Sequence, residues 1–214
     1  DSAEANTAQL VLNPDASYLV TGGARGFGLR TAQWLVDKGA RHVVLLSRTA
    51  VDPTDLESMA LMQRMQESGA TITSLECDVT DLARLRACVD TLEHPVKGVV
   101  HAAAVIEDRL AINLDLAVLH KVLAPKILGA WNLHTLSADW ALDFFVLYSS
   151  ATTFFGNPGQ AAYVAANSWL EALATSRHRQ GLPATCMRWG AIEDAGFLAR
   201  HQQIKKALEQ RMGG

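Results

Sequence analysis

Three side chains able to hydrogen-bond a substrate or a water stand at defined intervals: Ser150, Tyr163 thirteen residues later, and Asn167 four beyond that. Ser150 closes an apolar strand-like run, Phe144-Phe-Val-Leu-Tyr148. Tyr163 and Asn167 fall in a helical pattern from Ala161 to Arg179, and a spacing of four puts them on one helix face. The Asn157-Pro158-Gly159-Gln160 turn brings that helix back towards Ser150. A phenol with a pKa of about 10 is a poor acid or base at neutral pH unless a cation stands beside it. The next position on its helix face holds Asn167, so the cation must come from another element. Lys126, in Ala124-Pro125-Lys126-Ile127-Leu128-Gly129, is the candidate. Taken singly, each residue has an ordinary structural role: strand-end cap, core aromatic, solvated helix residue or surface lysine.

A second constellation lies at the start of the chain. The short run Tyr18-Leu-Val-Thr21 leads into Gly22-Gly23-Ala24-Arg25-Gly26-Phe27-Gly28, after which a helix begins. A glycine turn between strand and helix lets backbone amides approach a pyrophosphate at the positive helix N-terminus. The spacing, Thr21-Gly22 followed by Gly26 and Gly28, resembles the fingerprint of short-chain dehydrogenases/reductases rather than G-x-G-x-x-G. An acid at the end of the second strand would select NAD by binding the ribose hydroxyl; Ser47-Arg48 stands there instead. Arg48, helped by Arg25, is suited to a 2′-phosphate, so NADPH is the expected cofactor. Asp78-Val79 follows the third strand, where Asp78 serves either the adenine amine or a helix-entry turn. His101-Ala102-Ala103 ends the fourth strand; the small residues let backbone approach the ribose, and His101 reads as structural.

The elements that must position these groups alternate regularly. Strand-like runs (18–21, 43–46, 71–75, 98–101, 144–148, 184–189) are separated by helical patterns that stop at Gly39, Gly69 and Gly181. Unbroken apolar strands alternating with helices imply an α/β fold, a doubly wound parallel sheet of Rossmann type covered on both faces. Pro125 falls inside the long helical pattern from Leu114 to Leu136 and is expected to bend it. Asp81 is expected to cap a helix. The five tryptophans read as falling mostly at helix positions facing the sheet, and core packing is their expected role. Residues 1–16 read as a linker and 17–214 as one catalytic unit.

Composition narrows the function classes. The chain has 214 residues, 49% hydrophobic and 19% charged, with a net charge of −3. That is a globular composition without a basic face, so nucleic acid is not an expected partner. No apolar run is long enough for a membrane span, and neither a span nor a secretory leader is expected. Cys77, Cys88 and Cys186 lack metal-ligand spacing; no metal is expected, and they read as buried free thiols in a cytoplasmic setting.

Together the segments TGGARGFG (21–28), LLSR (45–48), HAAAVIED (101–108), APKILGAWNLH (124–134), YSSATTFFGNPGQAAYVAAN (148–167) and RWGAI (188–192) resemble the catalytic part of the ketoreductase domain of type I polyketide synthases and animal-type fatty acid synthases. The likeness covers nearly all of 17–199. Its most specific feature is an exchange: lysine sits in a Pro-Lys-x-x-Gly segment, and asparagine stands four after the tyrosine. The resemblance implies Lys126, Ser150, Tyr163 and Asn167 as a catalytic tetrad reducing a β-ketoacyl thioester on an acyl carrier protein with NADPH. It implies Tyr163 as general acid, Ser150 as second donor, Lys126 as the cation lowering the tyrosine pKa, and Asn167 as anchor of a water. Members giving a D-configured hydroxyl carry Leu-Asp-Asp where Ile106-Glu107-Asp108 stands. The opposite class carries tryptophan where Phe155 stands. A D-hydroxyl product is therefore expected, with Asp108 and Phe155 at the stereocontrolling positions. Residues 190–212 resemble a mobile lid, with Phe197 as an acyl contact. The resemblance also implies a structural ketoreductase subdomain and other synthase domains as partners, and a seventh strand absent or beyond the chain end. Two other readings stay open: a stand-alone 3-oxoacyl reductase and a non-catalytic nucleotide-binding domain of a synthase.

Overall fold

The computed structural model describes residues 10–190. In chain order these form β1 (Ser17–Thr21), α1 (Gly26–Asp37), β2 (His42–Ser47), α2 (Leu56–Glu67), β3 (Thr71–Glu76), α3 (Leu82–Val89), β4 (Val96–His101), α4 (Leu116–Leu136), β5 (Phe144–Ser150), α5 (Thr152–Phe155), α6 (Ala161–Arg179) and β6 (Thr185–Trp189). Aspartates begin three of the helices. Asp55, Asp81 and Asp115 accept from Ser58 N, Arg84 N and Val118 N, which satisfies first-turn amides. Helix α4 runs unbroken through Pro125, and the one-turn α5 and a 3-10 turn at Ala111–Asn113 have no counterpart in the hydrophobic periodicity.

All six strands are parallel, in the order β3-β2-β1-β4-β5-β6. Chain direction across the sheet reverses between β1 and β4. The crevice outside the carboxyl ends of those strands is where such sheets bind ligands. β1 lies at the centre and is buried along its whole length. Two cores flank it. One joins Leu29, Leu35, Leu61 and Met65 of α1 and α2 to the sheet; the other joins Leu85, Leu133, Leu170 and Leu173 of α3, α4 and α6 to the opposite face. The second core holds α4 and α6 together, and these helices carry Lys126, Tyr163 and Asn167.

Several expectations are corrected. Trp34 and Trp131 are about half exposed, at 47% and 50%, because their helix positions face away from the sheet. Only Cys77 of the three thiols is buried; Cys88 and Cys186 are half-buried. Within the stretch read as a linker, Leu12 and Ala16 are buried against the first core. Phe197 and nearly all of the lid segment lie outside the described residues. Among the described residues, no helix is long and apolar enough to cross a membrane, and no cluster of ligating side chains could hold a metal.

Candidate active site

The glycine turn is shaped by what surrounds it. Gly22 has φ +68°, and a Cβ there would lie 3.0 Å from the backbone of Ala102 and Ala103 at the end of β4. A side chain at Gly28 would run into the Gly22 carbonyl, so the first turn of α1 sits directly on the turn. Ser47 Oγ accepts from Ala24 N at 3.0 Å and pins the loop to the end of β2. The Arg25 side chain makes no cap to α1, which leaves the first-turn amides for an anion. Phe27 packs edge-on to Trp189 at 4.6 Å and tilted on Tyr148 at 5.3 Å, tying the loop to β5 and β6. This narrow, amide-lined cradle, which a Cβ would fill, fits a dinucleotide pyrophosphate.

The residues assigned to the adenosine side are placed around it. Arg48 and Arg25 are exposed, at the end of β2 and in the turn. The Asp78 carboxylate accepts from Thr80 N at 2.9 Å and Thr80 Oγ1 at 2.8 Å, the arrangement of a helix-entry turn. Val79 is buried, and its carbonyl accepts from Asn132 Nδ2 at 3.0 Å. His101 is fully buried, with Nδ1 2.7 Å from Thr21 Oγ1. Burial, then the charge of Lys126, pushes the His101 pKa down to about 3, so the ring stays neutral and cannot serve as the acid. A Cβ at Gly129 would lie 2.7 Å from Val79 Cγ1 and 3.0 Å from His101 Cε1, which gives the glycine of the Pro-Lys-x-x-Gly segment its physical reason.

The four residues that the resemblance assigns come from three elements: Ser150 from β5, Lys126 from α4, and Tyr163 and Asn167 from α6. Buried positions of α4 (Val122, Lys126, Gly129, Ala130, Leu133) form one helical stripe, so Lys126 projects into the interior although it is charged. Its Nζ donates to the Tyr148 carbonyl at 2.6 Å and lies 5.4 Å from the centre of the Tyr163 ring. Burial lowers its pKa to about 8. Ser150 Oγ accepts from Thr152 N at 3.2 Å and from Thr152 Oγ1 at 2.9 Å, which leaves its own proton to donate. Asn167 is fully buried; its Nδ2 donates to the Tyr163 carbonyl at 2.9 Å, while its Oδ1 has no partner among the described residues.

The net shift on Tyr163 is upward, not downward: burial dominates, opposed by Asn167 and reinforced by the negative charge of Asp108. The phenol therefore stays protonated at neutral pH, which suits a proton donor. Asp108 stands at the same mouth. Both of its carboxylate oxygens accept from Gln160 Nε2 at 3.2 Å, and Arg109 N donates to Gly159 O at 2.8 Å. Phe155 lies on α5 and is 71% exposed, beside an equally open Phe154.

Three residues of the site were missed by reasoning from sequence: Thr152, which aims the Ser150 hydroxyl; Gln160, which holds Asp108; and Glu171, which binds Ser149 and Arg188. Only Glu171 leaves a signal, continuing the four-residue stripe of Tyr163 and Asn167.

A doubly wound parallel sheet with a glycine turn at its switch point, and Ser, Lys, Tyr and Asn gathered beside it, defines a domain of the short-chain dehydrogenase/reductase class, whose members bind a nicotinamide cofactor. Residues 16–194 match the model of the KR domain family. The chain belongs to that family. It is 40% identical over 205 residues to a reducing polyketide synthase of Cochliobolus heterostrophus, covering 94% of this chain and 8% of that protein. It is 43% identical over 198 residues to the phthioceranic/hydroxyphthioceranic acid synthase of Mycobacterium tuberculosis, covering 88% of this chain and 9% of that protein. Among solved structures, that of A-type ketoreductases from a modular polyketide synthase superposes with a TM-score of 0.87 at 34% identity, covering 98% of this chain and 44% of that one. The chain thus spans less than a tenth of the length of these curated relatives.

Proposed function

We propose that this chain reduces the β-carbonyl of a β-ketoacyl thioester, carried on an acyl carrier protein, to a D-configured hydroxyl with NADPH. The observation that carries the reading is Lys126: it reaches over Tyr163 from α4, supplying the cation that Asn167 cannot. The glycine turn, Ser47 and the β4 end would hold the dinucleotide, with Arg48 and Arg25 meeting the 2′-phosphate. When bound, NADPH supplies the hydride that goes to the β-carbon.

The remaining work belongs to the side chains. Ser150, with both lone pairs engaged by Thr152, turns its hydroxyl proton to the carbonyl oxygen and stabilises the charge that develops there. Tyr163, kept neutral by burial, gives that oxygen its proton and is left as phenolate. Lys126 offsets the phenolate charge and keeps donors free for ribose hydroxyls. Asn167 accepts a water at its unpartnered Oδ1 for proton resupply. Asp108, held by Gln160 at the mouth, supports the D assignment by biasing which face of the carbonyl is presented.

The reading carries with it a cytoplasmic setting, in keeping with the free thiols, and neighbouring synthase domains, including a structural ketoreductase subdomain, as partners. The test is turnover of a β-ketoacyl N-acetylcysteamine thioester by the full natural polypeptide carrying residues 1–214. Loss of NADPH absorbance with predominantly D-hydroxyl product is expected. NADPH binding without turnover would favour a structural nucleotide-binding domain, and predominantly L product would overturn the stereochemical part alone.

A further inference from the structure

One carboxylate outside the tetrad collects donors from the elements that frame it. Glu171 lies on α6 eight residues after Tyr163, on the row that Tyr163 and Asn167 begin. Its Oε1 accepts from the buried Ser149 Oγ at 2.9 Å, and its Oε2 accepts from Arg188 Nη2 of β6 at 2.6 Å. Thr153 of α5, whose hydroxyl proton goes to the Ser150 carbonyl, lies beside this carboxylate as well. Arg188 in turn lies 4.6 Å from the centre of the Phe154 ring, on the same short helix. As a partly exposed ion pair Glu171–Arg188 contributes little to stability. What singles it out is geometry.

Ser149 is the chain neighbour of Ser150, and Thr153 is the neighbour of Thr152, whose amide and hydroxyl aim the Ser150 hydroxyl. Thr153 Oγ1 also donates to the Ser150 carbonyl at 3.0 Å. Glu171 therefore holds the strand carrying Ser150 through Ser149, and the short helix that orients it through Arg188 packed against Phe154, from the helix carrying Tyr163. We propose that Glu171 is a positioning residue that sets the Ser150 hydroxyl against the Tyr163 phenol, by clamping the end of β5, α5 and β6 onto α6. Rotation of the Ser150 hydroxyl or a shift of α5 separates the two donors that must meet on one carbonyl oxygen. Misplacement on the scale of an ångström costs rate rather than binding. The Arg188 charge beside it keeps the Glu171 pKa below the ordinary carboxylate value, so the clamp is ionised at working pH.

This inference rests on the reductase reading, and the experiment separates the two. In the full natural polypeptide, wild type, Glu171→Gln, Ser150→Ala and the double variant are compared for kcat, substrate KM and NADPH Kd. The amide keeps the shape and loses the charge. Glu171→Gln is expected to lower kcat roughly tenfold with NADPH Kd unchanged, because its partners Ser149 and Arg188 are not among the residues assigned to the dinucleotide. In the Ser150→Ala background the same change is expected to cost nothing further, since the hydroxyl it positions is gone. Retained kcat in Glu171→Gln, or an equal loss with and without Ser150, overturns the proposal while leaving the reductase reading intact. No turnover by wild type overturns both. Should Glu171→Gln fail to fold, Ser149→Ala, which removes only the hydroxyl facing Oε1, is read by the same criteria.

Discussion

Lys126 Nζ lies 5.4 Å from the centre of the Tyr163 ring, a contact between helices whose residues are 37 positions apart in the chain. Lys126 is buried with a pKa lowered to about 8 by desolvation, while burial raises that of Tyr163. The pair is therefore a protonated phenol under a cation that titrates near working pH. Reduction is expected to fall as pH rises through about 8, where Lys126 loses its charge. Tyr163→Phe is expected to lose at least ~100-fold in kcat while NADPH binding persists. A pH–rate profile and NADPH fluorescence check both; a flat profile from neutrality to pH ~9.5 would remove Lys126 from the proton chemistry.

The same lysine carries a stability signature. Its folded pKa, about 8, is below the unfolded value of 10.5, so between these limits the unfolded chain binds more protons. Stability from this group therefore rises with pH across that window, by an amount on the order of 3 kcal/mol. Lys126→Met should abolish turnover, flatten that rise, and melt no lower than wild type at neutral pH, since it removes a desolvated charge. Thermal unfolding measured across the window checks it.

Gly22 is the position where a methyl group meets the end of β4. Its φ of +68° and the 3.0 Å approach of Ala102 and Ala103 make Gly22→Ala strained on two counts. A loss of about 1–3 kcal/mol in stability is expected, together with weakened NADPH binding. Gly69, also at positive φ but with nothing within 4 Å of a Cβ, is the control: Gly69→Ala should leave NADPH affinity unchanged. Chemical denaturation and fluorescence titration give the two readings.

Arg48 stands exposed where β2 ends, with no acid beside it in sequence to bind a ribose hydroxyl. Arg48→Ala is expected to weaken NADPH roughly 10- to 100-fold and leave NADH unchanged, narrowing the preference between them. Equal weakening of both cofactors would show that Arg48 does not read the 2′-phosphate.

Much of this site was legible in sequence because its parts follow local rules. The glycine turn announces itself through residue type and its place between strand and helix. The Tyr163–Asn167 pair follows from helical spacing, whereas Lys126 is named through the family resemblance and its place on the buried stripe of α4 is read from the structure. Trp131 was misjudged because α4 is apolar on several sides and does not declare which side meets the sheet, whereas Trp34 lies off the Leu29, Ala32, Leu35 and Val36 face of α1.

By itself, then, the amino-acid order determined the six parallel strands and the phosphate-type turn, and singled out the four side chains proposed to react. Periodicity and backbone preference act over a few residues and can be read there. Only the tertiary structure decided that α4 and α6 pack together and bring Lys126 over Tyr163, that Thr152 orients Ser150, and that Glu171 gathers donors from β5 and β6. Those relations, and the opposite pKa shifts of Lys126 and Tyr163, arise from distance and burial. Neither is encoded in separation along the chain.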